Sequence, residues 1–139
     1  ITTGAPAPSA ISLLPRARHV VTENARVVEV ADLLRSGADP RRIGPSLTAS
    51  HSSLRDDFEI TVPEVDAAVD TLLETGAHGA RMTGGGFGGC VIALVEDTAV
   101  DASVSAVRSA YAERGFDPPT WFLAVPSAGA HRLQPPRPD

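Results

Sequence analysis

A glycine-rich segment is the part of the 139-residue chain best suited to contact phosphate. Five of the six residues from Gly84 to Gly89 are glycine, and Phe87 is the sole exception. Unhindered backbone N–H groups in such a segment form an anion-binding concavity. A hairpin turn needs only two residues, and each glycine in ordered structure costs roughly 0.5–1 kcal/mol relative to alanine. The segment therefore favours a loop that contacts phosphate, or supports a phosphate-binding loop, over a purely structural turn.

The context of this segment differs from that of three familiar phosphate motifs. Gly84, Gly86 and Gly89 match G-x-G-x-x-G. A dinucleotide-binding loop is followed by a helix, whereas residues 90–95 are typical of a strand. The protein-kinase pattern accommodates Val91 but requires a lysine, as does the Gly-Lys-Ser of a P-loop. All twelve basic residues are arginine, which excludes lysine-dependent phosphate sites and Schiff bases.

Charge and composition narrow the classes of partner. The net charge is −5 and the isoelectric point is near 5.3, so nucleic acid and anionic membranes are poor partners. The longest apolar run, residues 90–95, is far shorter than a membrane span. The single cysteine cannot form an internal disulfide, which is typical of a reducing cytoplasm. These features predict a globular domain in the cytoplasm.

Other reactive side chains have structural interpretations. Cys90 opens an apolar strand without an adjacent histidine, which favours a core thiol over a nucleophile. His19 precedes Glu23 by one helical turn, and we expect the two to pair on a helix face. His51 is expected to make a structural hydrogen bond, although the edge of an active site is the alternative. Arg81 is suited either to a phosphate or to an acid from another element.

The remaining polar candidates predict no metal site. His78 and His131 are expected in loops, and Asp56 and Asp57 are expected to be solvated charges at a helix end. No histidines and cysteine have the spacing of zinc ligands.

Hydrophobic periodicity and turn residues predict the elements that position these side chains. Pro45 is expected to begin or kink the second helix, because proline lacks a backbone N–H and clashes with the preceding turn. Apolar residues at helical spacing are Val20, Val27, Ala31 and Leu34 in the first helix and Val65, Val69, Leu72 and Leu73 in the third. The predicted helices are residues 16–35, 40–55, 63–75 and 97–114, and the predicted strands are residues 58–62, 80–83, 90–95 and 120–125.

The order of these elements predicts the fold class. After two helices, the order strand, helix, strand, strand, helix, strand is that of a ferredoxin-like α+β domain, an antiparallel sheet with helices on one face. We assign residues 16–133 to this domain, residues 1–15 to a connector or truncated edge, and residues 134–139 to a Pro-rich tail. Because the first residue is Ile1, we expect the chain to be part of a longer product.

Residues 82–90, Met-Thr-Gly-Gly-Gly-Phe-Gly-Gly-Cys, resemble the third conserved motif of galactokinases, which belong to the GHMP small-molecule kinases. Three further stretches resemble the same family in the same order: residues 16–24, residues 50–60 with 63–66, and residues 129–133. The resemblance covers about residues 16–133. It implies the C-terminal domain of a galactokinase and the ferredoxin-like fold of that domain.

The resemblance also implies an activity and its cofactors. A galactokinase phosphorylates galactose at its anomeric hydroxyl with ATP and Mg²⁺. The family's sugar-binding motif, phosphate loop, catalytic aspartate and partner arginine belong to an N-terminal domain absent from this chain. No catalytic residue or Mg²⁺ ligand is therefore assigned here, and we expect no catalysis by the chain alone. The family role of supporting the nucleotide phosphate loop is carried over to Thr83, Gly84, Gly85, Gly86, Phe87, Gly88 and Gly89.

Two alternatives differ from this hypothesis in class. The chain is alternatively part of another GHMP sugar kinase, which only the absent sugar site distinguishes from a galactokinase. The second alternative is that the chain is a free-standing ferredoxin-like module that binds a ligand or partner without catalysis. The galactokinase hypothesis predicts exposed apolar surface where the N-terminal domain docks.

Overall fold

A computed structural model describes residues 10–129, with side chains from Leu13 onward. Residues 1–9, His131 and the tail at residues 134–139 lie outside the described part. The α-helices are α1 (Ala10–Arg35), α2 (Gly44–Ser53), α3 (Pro63–Glu74) and α4 (Val100–Arg114), and the strands are β1 (Gly79–Thr83) and β2 (Cys90–Leu94). Single 3₁₀ turns at Pro40–Ile43 and Asp97–Ala99 precede α2 and α4, and a π-helical turn at Leu54–Phe58 follows α2.

Local sequence determines where three of the helices begin or end. α2 begins at Gly44 with Pro45 in its first turn, as predicted, where a missing N–H leaves no helical hydrogen bond unmade. α3 begins at Pro63 and has two acidic residues in its first turn, near the positive end of the helix dipole. α4 ends at Arg114, before a left-handed Gly115 with φ of +72°.

The first helix is longer than predicted, and much of its apolar stripe is exposed. It begins at Ala10, six residues before the predicted start, and includes Pro15. The apolar residues Val20, Val27 and Leu34 are 51%, 60% and 52% exposed. This outcome follows because α1 contacts α2 and the π-helical turn through another side of the helix, which carries the buried His19.

The two strands form an antiparallel hairpin. Their register runs from Gly79 opposite Leu94 to Thr83 opposite Cys90. α2 and α3 pack against β1, and α4 packs against α3. The core beneath the hairpin is built from Leu54, Val65 and Met82, with Ile60, Val62 and Val91 packed against it.

A pair of glycines brings α2 close to β1. A Cβ on Gly79 would lie 2.1 Å from the carbonyl oxygen of Gly44, and a Cβ on Gly44 would lie 2.0 Å from the carbonyl oxygen of His78. Separations this short leave no room for any side chain. The start of α2 therefore contacts the start of β1 backbone to backbone.

The strand predicted at residues 58–62 is not formed. The π-helical turn continues through Phe58, and Glu59 follows in the left-handed region with φ of +57°. Residues 59–62 then lead into α3 without a ladder of backbone hydrogen bonds. Alternating apolar residues indicate a half-buried segment, but only a partner strand makes that segment part of a sheet.

The strand predicted at residues 120–125 is also absent, so the sheet in residues 10–129 has two strands. Trp121, Phe122, Leu123 and Val125 are 47%, 82%, 64% and 77% exposed. The α+β class with an antiparallel sheet is confirmed, and the two outer strands of the prediction are wrong for the described structure.

β2 is apolar over its whole length but is exposed at most of its positions. Cys90, Ile92 and Ala93 are exposed, while Val91 and Leu94 are half-buried. Within the described residues β2 pairs only with β1, so one edge of the strand has no neighbouring strand. The interpretation of Cys90 as a core thiol is corrected accordingly, since its side chain is exposed.

Candidate functional site

The glycine loop, residues 84–89, connects β1 to β2 through backbone conformations that side chains disfavour. Gly84, Gly86, Gly88 and Gly89 have φ values of +105°, +89°, +120° and +109°. Phe87 is also left-handed, with φ of +55°. An L-residue with a Cβ adopts this region only at a cost of about 1–2 kcal/mol. These four glycines are therefore required by the path of the loop and are not merely tolerated.

The glycine loop is anchored on the segment that precedes α3. The Phe87 backbone N–H donates to the carbonyl oxygen of Ile60 over 2.7 Å. A Cβ on Gly86 would lie 3.0 Å from the Ile60 Cβ and 3.1 Å from its carbonyl oxygen. Only glycine allows this approach without displacing Ile60, so the contact fixes the middle of the loop against the domain.

The outward side of the glycine loop consists of backbone and one aromatic ring. Gly84, Gly85 and Gly89 are exposed, and Phe87 is 77% exposed. Thr83, the last residue of β1, is half-buried and pairs with Cys90 across the base of the loop. No side chain of the loop itself titrates, so its chemistry is that of oriented backbone dipoles and shape.

His51 of α2 is buried beneath the base of the loop and is 2% exposed. The Met82 backbone N–H donates to His51 Nδ1 over 3.3 Å. His51 Nε2 lies 3.2 Å from Asp66 Oδ1, bent away from hydrogen-bond geometry, and within residues 10–129 neither atom has another partner. Burial lowers the pKa of His51 below its ordinary value, against the opposing charge of Asp66. The expected structural hydrogen bond is therefore present, and it is made to the strand that leads into the glycine loop.

Arg81 binds an acidic side chain of another element, which is one of the two partners expected from the sequence; the other was a phosphate. Its NH1 donates to Glu23 Oε1 over 2.9 Å, and its Nε donates to the carbonyl oxygen of Met82 over 2.9 Å. The same Glu23 oxygen accepts from the Ser50 hydroxyl over 2.6 Å, and Arg26 pairs with the other oxygen at 3.3 Å. Arg81 thus connects β1 to α1 and α2.

The predicted pairing of His19 with Glu23 is wrong. His19 Nδ1 instead lies 3.0 Å from the Ser53 hydroxyl, and its ring stacks on Phe58 at 4.7 Å. The Ser53 hydroxyl donates to Asp57 Oδ2 over 3.0 Å. Asp57 is consequently not the solvated charge that was predicted, because its side chain is only 17% exposed. Asp56 is solvated as expected, with a side chain 62% exposed.

His78 belongs to a charged cluster at the far end of the hairpin. Its Nε2 lies 2.8 Å from Glu96 Oε1. Arg41 donates to both oxygens of Glu96, over 2.6 and 3.1 Å, and also to Asp39 over 3.0 Å. Arg41 and His78 lower the pKa of Glu96 to about 2. The cluster lines a surface cavity of about 260 Å³ that shares no residue with the glycine loop.

The polar face of α2 was not recognised from sequence. Ser46, Ser50, His51 and Ser53 are all buried. Ser46 donates to Glu29 over 3.1 Å, and the others bind the groups described above. The recurrence of small polar residues every three or four positions was a usable signal of a buried hydrogen-bonding helix face.

In the part of the chain that the structure describes, no group of three His, Cys, Asp or Glu side chains is placed to hold a metal ion. No helix among residues 10–129 has both the length and the apolar character that a bilayer span requires.

The fold and its glycine loop match known proteins. A family model described as GHMP kinases C terminal matches residues 30–113. The chain therefore belongs to the GHMP kinase family and corresponds to its C-terminal domain. Within that family it is homologous to galactokinases, as the glycine motif predicted.

Two curated relatives are galactokinases of Streptomyces. The galactokinase of Streptomyces coelicolor is 60% identical over 116 residues, which cover 84% of this chain and 30% of that protein. The galactokinase of Streptomyces lividans is 58% identical over 113 residues, covering 81% of this chain and 28% of that protein. The chain thus spans about 30% of the length of these relatives.

Two solved structures share the fold. Lactococcus lactis galactokinase, solved in complex with galactose, matches with a TM-score of 0.71 and 44% identity over 77% of this chain and 28% of that chain. L. major mevalonate kinase, solved in complex with R-mevalonate, matches with a TM-score of 0.61. That match has 24% identity and covers 77% of this chain and 36% of that chain, so it shows the fold alone.

Proposed function

We propose that this chain is the C-terminal domain of a galactokinase that transfers the γ-phosphoryl group of ATP to the anomeric hydroxyl of galactose, yielding galactose 1-phosphate and ADP. One observation carries this proposal, the 60% identity to the Streptomyces coelicolor galactokinase over 84% of the chain. The Lactococcus lactis relative, whose structure contains galactose, supports the same sugar substrate.

Within such an enzyme, Thr83 and the glycine loop support the phosphate loop of the N-terminal domain. The contacts that Gly86 and Phe87 make with Ile60 support this role. A rigid backbone surface can position a neighbouring loop without a titrating side chain. Phosphoryl transfer depends mainly on positioning and charge stabilisation, and such a backbone surface assists the positioning. The exposed backbone of the loop fits contact with a phosphate loop or with phosphate itself.

ATP and Mg²⁺ are the cofactors of the proposed reaction. Among residues 10–129 no group of three potential metal-ligating side chains is present, and no step through the ion is assigned to these residues. The cytoplasm is the proposed location of the enzyme, on the basis of the lone cysteine and the small-molecule substrates.

The proposed partner of this chain is an N-terminal GHMP domain of the same protein. The relatives extend well beyond the part that this chain matches. The chain carries an exposed apolar face on α1, where Val21 and Val28 are 68% and 60% exposed. An apolar face of this kind is typical of a surface that another domain covers.

A chimera tests the reaction directly. The matching segment of the Streptomyces coelicolor galactokinase is replaced by residues 16–133 of this chain, and ADP release is followed by a coupled assay. We expect galactose-dependent ADP release, with galactose 1-phosphate identified by ³¹P NMR. The isolated 139-residue chain, which lacks the phosphate loop, is expected to release no ADP.

Three outcomes would contradict the proposal in different ways. A folded chimera without activity on galactose would reject the reaction. ADP release by a chimera that prefers another sugar would favour a different GHMP sugar kinase. Tight binding of galactose or ATP by the isolated chain in calorimetry would favour a free-standing binding module.

A further inference from the structure

His51 lies between the two segments that hold the glycine loop, the end of β1 and the segment that precedes α3. On one side its Nδ1 accepts from the N–H of Met82, which immediately precedes Thr83 at the base of the loop. On the other side its Nε2 faces Asp66 at 3.2 Å. The Thr61 hydroxyl donates to Asp66 Oδ2 over 3.2 Å, and Thr61 follows the Ile60 that holds the middle of the loop.

The geometry determines the protonation of this imidazole. Because Nδ1 accepts a hydrogen bond, the single proton of a neutral ring is on Nε2, which lies 3.2 Å from Asp66 Oδ1. Protonation of Nδ1 would place a second donor against the Met82 N–H and break that hydrogen bond. Burial and Arg55 of the π-helical turn oppose the charged ring, whereas Asp66 and Asp70 of α3 favour it. The hydrogen bond from β1 is made by the backbone N–H of Met82.

We propose that His51, together with Asp66, is a positioning residue that fixes the glycine loop from both of its anchors. The neutral ring accepts a hydrogen bond from Met82 at the end of β1. Its other nitrogen faces the Asp66 carboxylate, which accepts a hydrogen bond from Thr61, the residue after Ile60. A role of His51 in phosphate binding rests on the function proposed above, whereas its role in positioning the glycine loop does not. His51 touches neither substrate nor nucleotide in this role and acts through the backbone conformation of the loop.

NMR of the unmodified 139-residue chain tests the arrangement without any mutation. Long-range ¹⁵N–¹H spectra at pH 7.5 should show His51 protonated on Nε2 and bare on Nδ1. As the pH is lowered, the amides of Met82 and Gly84–Gly89 should shift with the same midpoint as the His51 ring. A proton on Nδ1 at pH 7.5, or loop amides that do not follow the His51 titration, would overturn the proposal.

Two variants separate positioning from packing. His51→Asn keeps an oxygen acceptor near the position of Nδ1, whereas His51→Leu fills similar volume without an acceptor. We expect hydrogen exchange of the Met82 amide to accelerate about tenfold in the leucine variant, measured relative to the Val69 amide in the core. The asparagine variant should retain nearly the wild-type ratio, and His78→Asn, in the distant charged cluster, is the matched control.

The outcomes distinguish the proposals from each other. Equal acceleration of the Met82 and Val69 amides in the leucine variant would indicate general destabilisation and overturn the positioning role. Identical behaviour of the asparagine and leucine variants would do the same. If the unmodified chimera lacks kinase activity, the proposed function fails while the NMR result still decides the role of His51.

Discussion

Gly85 and Gly86 are neighbours in the glycine loop that face different constraints. Gly86 combines φ of +89° with a Cβ position 3.0 Å from the Ile60 Cβ, whereas a Cβ on Gly85 meets nothing within 4 Å. Gly85 also does not have a positive φ. The contrast separates a glycine needed for backbone conformation and close approach from one that is structurally replaceable.

We expect Gly86→Ala to lower the free energy of unfolding by about 1–3 kcal/mol, because it adds left-handed strain to an overlap with Ile60. Gly85→Ala should lower it by less than about 1 kcal/mol. Urea unfolding of the 139-residue chain followed by circular dichroism measures both. Equal losses in the two variants would mean that the contact with Ile60 does not anchor the loop. In the chimera, a loss of turnover in Gly85→Ala without a loss of stability would indicate direct phosphate contact.

Residue types alone indicated the glycine loop but not the groups that hold it. The run of glycines is visible in the sequence because positive φ and close approach select glycine. The role of His51 was not visible, because its partners come from α3 and β1 and meet only in the folded chain. For the same reason the sequence did not show that Glu23, besides its local partner Arg26, binds Arg81 from a distant strand.

At the scale of elements, the charged cluster of Arg41, His78 and Glu96 fastens the 3₁₀ turn before α2 to the end of β2. Arg41 belongs to that turn, and Glu96 lies just beyond β2. The pKa of Glu96 is about 2 in the folded chain, against an ordinary value of 4.5, because Arg41 and His78 bind its charged form. The ionised carboxylate therefore favours the folded state.

The sign of the resulting pH dependence follows from that lowered pKa. The contribution of Glu96 to stability is fully present above about pH 4.5 and is lost as the pH falls towards about 2. Glu96→Gln should therefore show a smaller loss of stability between pH 5 and pH 3 than the unmodified chain. Urea midpoints at the two pH values measure this, with Glu113→Gln on the exposed surface of α4 as control. A Glu96→Gln variant with the unmodified pH dependence would show that the ion pairs are not formed in solution.

Helices were predictable and outer strands were not, for a physical reason. Pro45, Pro63 and Gly115 mark helix ends through local backbone chemistry, which is complete in the sequence. A strand at residues 58–62 or 120–125 depends on a partner elsewhere in the chain. In residues 58–62, the π-helical turn and the left-handed Glu59 occupy the predicted start of the strand.

At the scale of the whole molecule, α1 carries several exposed apolar side chains on its surface. Val20, Val21, Val27 and Val28 are 51%, 68%, 60% and 60% exposed along one helix. The rest of the described domain packs against the side of α1 that carries the buried His19, and Val27 borders a cavity between α1 and α2. The apolar pattern of α1 is therefore better explained by a surface outside this domain.

We expect the 139-residue chain to bind an apolar fluorescent dye such as anilinonaphthalene sulfonate through this face. The double variant Val21→Glu and Val28→Glu should bind less dye while changing the free energy of unfolding by no more than about 0.5 kcal/mol per site. Ser109→Glu, on the exposed surface of α4, is the control and should leave dye binding unchanged. Dye binding that is unchanged in the double variant would place the dye site elsewhere, such as on the exposed apolar side chains of residues 121–125.

The exposure of Cys90 provides a natural site for observing the glycine loop. It is the single cysteine of the chain, it is exposed, and it directly follows Gly89. A thiol-reactive fluorophore would therefore attach at one defined position, beside the loop and on the strand opposite Thr83. Its emission would report, in real time and without mutation, when another domain or a nucleotide approaches the loop.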